Sequence, residues 1–210
     1  MSIPKLIHSF WSGPPMPTWV KQSIASWEQH YPDHEIKIWT EATAPRLRMQ
    51  ELYDNPRKYS PKSGEYQWKT NLLRIELLHD QAGYWLDADV MALRNAEELI
   101  AGYSAFVARE SPGYLNNGLM GAVAGHPFIA ELLDRAPQRI LDNPNLRSNR
   151  TCGPHLLTDA IWNHPDVKII PQHQGLPARW DQLDRKPSDF PDAYFFSWWN
   201  NKRQKRHQGA

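Results

Sequence analysis

A single cysteine, Cys152, is present among 210 residues, so no intrachain disulfide can form and four-cysteine zinc sites are excluded. Nowhere does the chain hold a run of about 18 apolar residues, the length a membrane-crossing helix needs. Residues 1–13 carry one lysine and a short apolar segment broken by His8, without the continuous apolar core of a secretory leader. These absences lead to the expectation of a cytoplasmic protein with no transmembrane segment. Also missing are Gly-x-Gly-x-x-Gly and Gly-x-x-x-x-Gly-Lys-Ser/Thr, which argues against dinucleotide oxidoreductases and P-loop enzymes. There is no His-Glu-x-x-His, and the nine histidines offer no pair with a third partner at useful spacing, so zinc is not expected. Ser111-Pro112-Gly113 is not a nucleophile elbow, which leaves hydrolase triads unsupported.

Charge of either sign is not in excess, with 24 basic against 23 acidic side chains and a formal charge of +1. The distribution is uneven, however. Lys202, Arg203, Lys205 and Arg206 lie at the extreme C-terminus, and removing their four charges leaves about −3 on the rest. Residues 202–210 are therefore read as a basic, flexible tail, and residues 1–201 as one domain. A chain of this length buries roughly 70% of the surface it exposes when unfolded. What is abundant is proline, at 18 residues, and tryptophan, at 10. The first implies many extended connections, and the second suits both core anchoring and stacking on sugars or bases.

Residues 5–10 form a β-prone run that stops at Ser12-Gly13-Pro14-Pro15. Residues 18–30 carry Trp19, Val20, Ile24 and Trp27 at helical spacing, with Thr18 as an N-cap. Residues 35–39 alternate, so strand, helix and strand open the chain, as in a Rossmann-like sheet. Residues 63–81 are the longest helical candidate and stop near Gly83. Residues 84–86, 105–108, 119–124, 167–170 and 193–196 read as strands. Residues 128–141 read as a helix interrupted or kinked at Pro137, residues 154–162 as a further helix, and the proline-rich 14–17 and 56–61 as loops. The fold class is α/β: a single, mixed, mostly parallel central sheet flanked by helices.

Chemistry concentrates in Leu86-Asp87-Ala88-Asp89-Val90, where two carboxylates follow an apolar strand. In extended backbone, positions i and i+2 point to one side. The carboxyl end of a central strand is where open α/β sheets bind ligands, and paired oxygen donors suit Mg²⁺ or Mn²⁺ gripping a diphosphate. An Asp-x-Asp alone is weak, since a chain of this length yields roughly one by chance.

Five ordered blocks surround it: Ile3-Pro4-Lys5-Leu6-Ile7-His8 with Trp11; Trp27, Tyr31-Pro32-Asp33 and Trp39; Asn71-Leu72-Leu73-Arg74; Gly83 to Val90; and Asn117-Gly118-Leu119-Met120-Gly121 with Gly125-His126-Pro127. Together, over residues 3–127, they resemble glycosyltransferase family 32. That family includes yeast mannosyltransferases, bacterial capsule and lipopolysaccharide transferases and, distantly, the glucosylating domains of clostridial toxins. The resemblance implies a GT-A fold, Mn²⁺ or Mg²⁺ as cofactor, a nucleotide-diphosphate sugar as donor and retention of anomeric configuration. It further implies that Trp11 stacks on the donor base, that Asp89 ligates the metal, and that Asp87 holds ribose or sugar hydroxyls while assisting the metal. Arg74 and Asn71 belong to the catalytic set, and His8, Trp85, Asn117, Ser197 and Trp198 to the donor site. Three departures stand out, the first being Ala82-Gly83-Tyr84-Trp85-Leu86-Asp87 where the family usually has Gly-Gly-x-Tyr-Leu-Asp. Asn71 replaces the family's usual acidic residue, and Ser197-Trp198-Trp199-Asn200 lacks the usual histidine, leaving Ser197, Asn200 or water to complete the metal site. The acceptor expected is a glycan or lipid-linked sugar. Transfer to a hydroxylated base in nucleic acid, or a catalytically inactive carbohydrate-binding module, are the alternatives.

Overall fold

A computed structural model describes residues 2–13 and 15–199. Asn200 and the basic segment 202–210 lie outside the described residues. The chain opens with β1 (Leu6–Phe10), α1 (Thr18–His30) and β2 (Glu35–Trp39). Two short helices, α2 (Gln50–Asp54) and α3 (Pro56–Tyr59), lead to the long α4 (Glu65–Gln81), then β3 (Gly83–Leu86), β4 (Val90–Ala92), β5 (Ala105–Ser111) and β6 (Tyr114–Ala122). The remainder is α5 (Pro127–Asp142), α6 (Ser148–Thr151), α7 (Pro154–Ala160), β7 (Lys168–Ile170) and β8 (Phe195–Ser197), with two 3₁₀ turns.

The main sheet has the order β2-β1-β3-β6-β5-β7. All neighbours run parallel except at β6, which is antiparallel to both β3 and β5. The mixed, mostly parallel sheet expected from the sequence is therefore present. Side chains alternate between its faces as strand geometry demands. From β3, Trp85 enters the core beneath α4, α5 and α7, while Tyr84 and Leu86 enter the core shared with Trp27 of α1.

Helix α4 crosses the first of these cores and is buried continuously from Trp68 to Leu78. Such a helix has no solvent face, so each polar residue on it needs a partner. Lys69 pairs with Glu41 and Glu65, Glu76 accepts the backbone N–H groups of Arg48 and Met49, and Thr70 donates to the Tyr66 carbonyl. Asn71 and Arg74 are met from β3 and β6, as described below. The chain leaves α4 through Ala82 and Gly83, both at positive φ. A side chain at Gly83 would bring its Cβ to 2.4 Å from the Leu6 carbonyl oxygen, so glycine there lets β3 pair closely with β1.

Several local expectations are corrected. Pro17, not Thr18, occupies the N-cap of α1 and makes no side-chain cap. The 56–61 segment includes helix α3, with Pro56 at its first turn, where a missing N–H costs nothing. Helix α5 runs without a break through Pro137. Strand β4, α2 and α6 carry no sequence signal because each is too short to show a period. Strand β4 matters most, since it pairs antiparallel with β8 in a second, two-stranded sheet, with Val90 opposite Ser197. That pairing brings the C-terminal segment to the Asp-x-Asp motif. No described helix is long and apolar enough to cross a membrane.

Candidate active site

Strand β3 ends at Leu86, and the next four residues fold back rather than extend. The Val90 N–H donates to the Asp87 carbonyl at 2.8 Å, closing a turn over Asp87-Ala88-Asp89-Val90. The extended backbone expected for the two carboxylates is thus absent, because β4 must start immediately to pair with β8. Both aspartates nevertheless line one cavity of about 420 Å³, since a turn also places positions i and i+2 near one another.

Asp87 is fixed by its neighbours. Its Oδ1 accepts the Trp85 indole N–H at 2.8 Å and an Arg74 guanidinium N–H at 3.0 Å. Its backbone N–H donates to the Gly118 carbonyl at 2.8 Å. Arg74 is only 2% exposed. Its remaining donors reach the carbonyls of Thr70 and Asn117, and its plane lies 5.0 Å from the Trp85 ring. Burial pulls the guanidinium below its ordinary pKa, and Asp87 opposes the shift. An arginine keeps its charge under such pressure, so Arg74 is a buried cation committed to holding one carboxylate and one strand.

Asn71 lies one turn earlier on α4. Its Oδ1 accepts from Asn117 Nδ2 at 2.9 Å, so the residue that departs from the family pattern acts as a neutral acceptor beside Arg74. Strand β6 supplies Asn116, Asn117 and Gly118 in succession. Asn116 Oδ1 accepts the Gly118 N–H at 2.6 Å while its Nδ2 donates to Glu110 of β5 at 2.9 Å. Gly118 has no room for a side chain, because a Cβ would lie 2.6 Å from Asp87 Oδ2 and 2.9 Å from Asn116 Oδ1. On the opposite side, β8 contributes Ser197, and the Trp198 N–H donates to the Asp89 carbonyl at 3.0 Å.

Of the residues singled out from sequence, Asn71, Arg74, Asp87, Asp89, Asn117 and Ser197 line the cavity together. Four others lie elsewhere. His8 is fully buried, with Nε2 on the Ala82 carbonyl at 2.8 Å and Nδ1 accepting from the Trp39 indole at 3.0 Å. Burial pushes its imidazole down to about 4, and the indole donor fixes the neutral Nε2–H tautomer. His8 is a core residue, with both nitrogens engaged away from the cavity. Trp85 is also fully buried; it supports Asp87 from beneath and offers no face to a donor. Trp198 packs edge-on against Phe196 at 5.0 Å, whereas its neighbour Trp199 lines the cavity and donates from Nε1 to the Ala178 carbonyl at 2.8 Å. Trp11 stands in an aromatic corner with Trp19 and Tyr66, at 5.5 and 6.1 Å. Tyr66 itself lines the cavity, so Trp11 is one ring removed from it. Asn200 falls outside the described residues.

Sequence reasoning did not single out Tyr66, Asn116, Arg147, Trp180 or Trp199 as site residues, although all five line this space. Asn116, next to a recognised block, and Trp199, inside the Ser197–Asn200 stretch, carry a usable signal; the other three do not.

The donor set fits a hard divalent cation. Of the three carboxylates on the cavity, Asp87 and Asp89 share the turn after β3 while Glu110 comes from β5, and no cluster of three or more His, Cys, Asp or Glu placed to hold a metal ion exists among the described residues. Mg²⁺ and Mn²⁺ commonly bind through one or two carboxylates, with water and phosphate oxygens completing the shell.

Comparison with known proteins identifies the family and the fold. Inositol phosphoceramide mannosyltransferase 3 of Schizosaccharomyces pombe is 29% identical over 168 residues, covering 77% of this chain and 45% of the relative. Inositol phosphoceramide mannosyltransferase 2 of the same organism is 25% identical, covering 95% of this chain and 59% of its own. The chain thus spans about half the length of these relatives. Among solved structures, the PaToxG glycosyltransferase superposes with a TM-score of 0.64 at 16% identity, covering 78% of this chain and 70% of that one. The UDP-bound glycosyltransferase domain from the YGT toxin gives 0.60 at 10% identity, covering 80% of each. The fold is the GT-A fold of these glycosyltransferases. Residues 3–125, more than half of the sequence, match the capsular polysaccharide synthesis protein family, and the chain belongs to that family.

Proposed function

We propose that this chain transfers a sugar from a nucleotide-diphosphate sugar to an acceptor hydroxyl, with Mn²⁺ or Mg²⁺ held by Asp89 and assisted by Asp87. The observation that carries the reading is the convergence of Asp87, Asp89, Arg74, Asn71 and Asn117 on one cavity at the tip of β3. The names of the relatives and the UDP-bound neighbour support a nucleotide-sugar donor. When bound, the divalent ion supplies Lewis-acid stabilisation of the leaving diphosphate.

The chain's own residues do the rest. Arg74 and Trp85 fix one oxygen of Asp87, leaving Oδ2 for a ribose or sugar hydroxyl. As the anomeric carbon–oxygen bond breaks, positive charge grows on the sugar ring. Glu110 and the amides of Asn71 and Asn117 line the space where that charge develops, and preorganised groups of this kind lower the barrier most. The acceptor oxygen bonds to the anomeric carbon on the face the diphosphate leaves, and its proton passes to a diphosphate oxygen. Such a same-face route gives retention without a covalent enzyme intermediate. Trp11, beside Tyr66, serves the base. The relatives' names favour a glycan or lipid-linked acceptor.

Incubation with Mn²⁺ and a panel of nucleotide sugars tests the reading. One donor is expected to hydrolyse slowly and to raise the melting temperature, with the released sugar first appearing in the donor's anomeric form by NMR. Absence of both effects for every donor contradicts the assignment. Gly118→Ala provides a local check. The added methyl pushes against Asp87 Oδ2, an overpacking that costs about 1–3 kcal/mol. Nucleotide affinity is expected to fall about tenfold by calorimetry, with a melting temperature lowered by only a few degrees.

A further inference from the structure

The cavity has a second polar wall, carried by a different part of the chain from the strand tip. Arg147, Ser148 and Asn149, at the entry to α6, all line it. Ser148 anchors this wall: it is 2% exposed, and its N–H donates to Ser63 Oγ at 2.6 Å. The Ser60 hydroxyl holds the adjoining Leu146 carbonyl at 2.7 Å. Behind it, the backbone packs so tightly that a Cβ at Gly153 would lie 2.8 Å from Asn149 Cα and 3.1 Å from Asn71 Nδ2. The flanking Arg147 and Asn149 are exposed. A buried serine thus fixes the backbone that presents two polar side chains to the cavity.

The charges make Arg147 distinctive. Three carboxylates, Asp87, Asp89 and Glu110, line the space together with two cations, Arg74 and Arg147. Arg74 is committed to Asp87 and to two carbonyls. Arg147 makes no ion pair among the described residues. A guanidinium with its planar fork open suits a phosphate or carboxylate. Trp180, 46% exposed on the same cavity, adds a flat apolar face of the kind that sugar rings cover.

Resting on the transferase reading above, we propose that Arg147 and Trp180 form an acceptor subsite for an anionic saccharide, a sugar or polyol bearing a phosphate or a carboxylate. The fork of Arg147 holds the anion, and Trp180 supports the ring. The donor's diphosphate is served separately at the Asp87–Asp89 turn, so the two negative groups draw on different residues of the cavity.

Direct titration of the full chain, saturated with UDP or GDP and Mn²⁺, tests this without requiring turnover. The probes are myo-inositol 1-phosphate, methyl glucuronide and neutral methyl mannoside. One or both anionic probes are expected to bind at least tenfold more tightly than the neutral one, the value of one charge-assisted hydrogen-bonded contact. Which anion prevails separates a phosphate from a carboxylate acceptor. Arg147→Ala is expected to erase the preference, Arg147→Lys to restore part of it, and Trp180→Ala to weaken all three probes. The proposal is overturned if the neutral probe binds as well as the anionic ones, or if Arg147→Ala weakens nucleotide binding more than probe binding. Donor hydrolysis by the wild-type chain, measured in parallel, separates the two readings. Its absence with probe selectivity intact counts against the transferase and not against the subsite.

Discussion

Asp89→Ala is expected to abolish sugar transfer and metal-dependent donor binding while leaving the protein folded. The two backbone bonds that shape its turn run from Val90 to the Asp87 carbonyl and from Trp198 to the Asp89 carbonyl, and neither uses the Asp89 carboxylate. The side chain is partly buried, and its removal leaves both of these backbone bonds in place, so a moderate loss of stability, about 1–2 kcal/mol, is expected. Catalysis has no such reserve. With no third His, Cys, Asp or Glu clustered nearby among the described residues, loss of one carboxylate halves the acidic ligands proposed for the metal. A fall of about 10³-fold, roughly 4 kcal/mol of barrier, is expected. Steady-state rates alongside thermal melts check both halves: a folded variant with near-normal activity rules out the role given to Asp89.

Arg74→Ala is expected to harm both stability and activity. Removing the guanidinium leaves Asp87 Oδ1 with the Trp85 N–H alone and strips a donor from the Asn117 carbonyl. It also opens space over Trp85, where the arginine plane rests. Breaking a buried pair from one side costs about 3–5 kcal/mol. Asp87 is 35% exposed on the cavity, so water recovers part of that and a loss of about 2–3 kcal/mol is expected. The freed Asp87 no longer holds its orientation, so donor hydrolysis should fall by about 10²-fold. Arg74→Lys should rescue little, because one ammonium cannot span three acceptors in different directions. Urea unfolding with parallel rate measurements separates the two losses. A variant that keeps its stability but loses activity would indicate that Arg74 contacts the donor rather than positioning Asp87.

The sequence made the scaffold legible wherever an element was long or sharply bounded. Strand β1 stops at a Gly-Pro-Pro run, α1 shows its apolar stripe, and β2 alternates cleanly. The long α4 was evident, but its burial on every side was not. Helical spacing places Asn71 and Arg74 on one face, and only the packing of α5, α6 and β6 around that helix reveals that the face is internal. The Asp-x-Asp motif follows β3 as its sequence implies but in a turn rather than extended backbone, because that turn is imposed by the β4–β8 pairing of residues about a hundred positions apart. Strands of three residues leave no periodic trace. His8 and Trp85 were read as donor contacts because they sit in blocks typical of the family. Their actual roles, a buried hydrogen-bond relay to Trp39 and a support beneath Asp87, depend on neighbours that single-sequence spacing does not locate. Arg147, Trp180 and Trp199 reach the cavity from connections between elements, where local sequence carries little information.

Calorimetric titration of the wild-type chain with UDP and with GDP, each with Mn²⁺ and again with excess EDTA, addresses the metal-binding role proposed for Asp87 and Asp89 most directly. Saturable binding of one nucleotide that needs Mn²⁺, and that disappears in Asp89→Ala, is the expected result. Binding of equal strength in EDTA, or retained in the alanine variant, would contradict it.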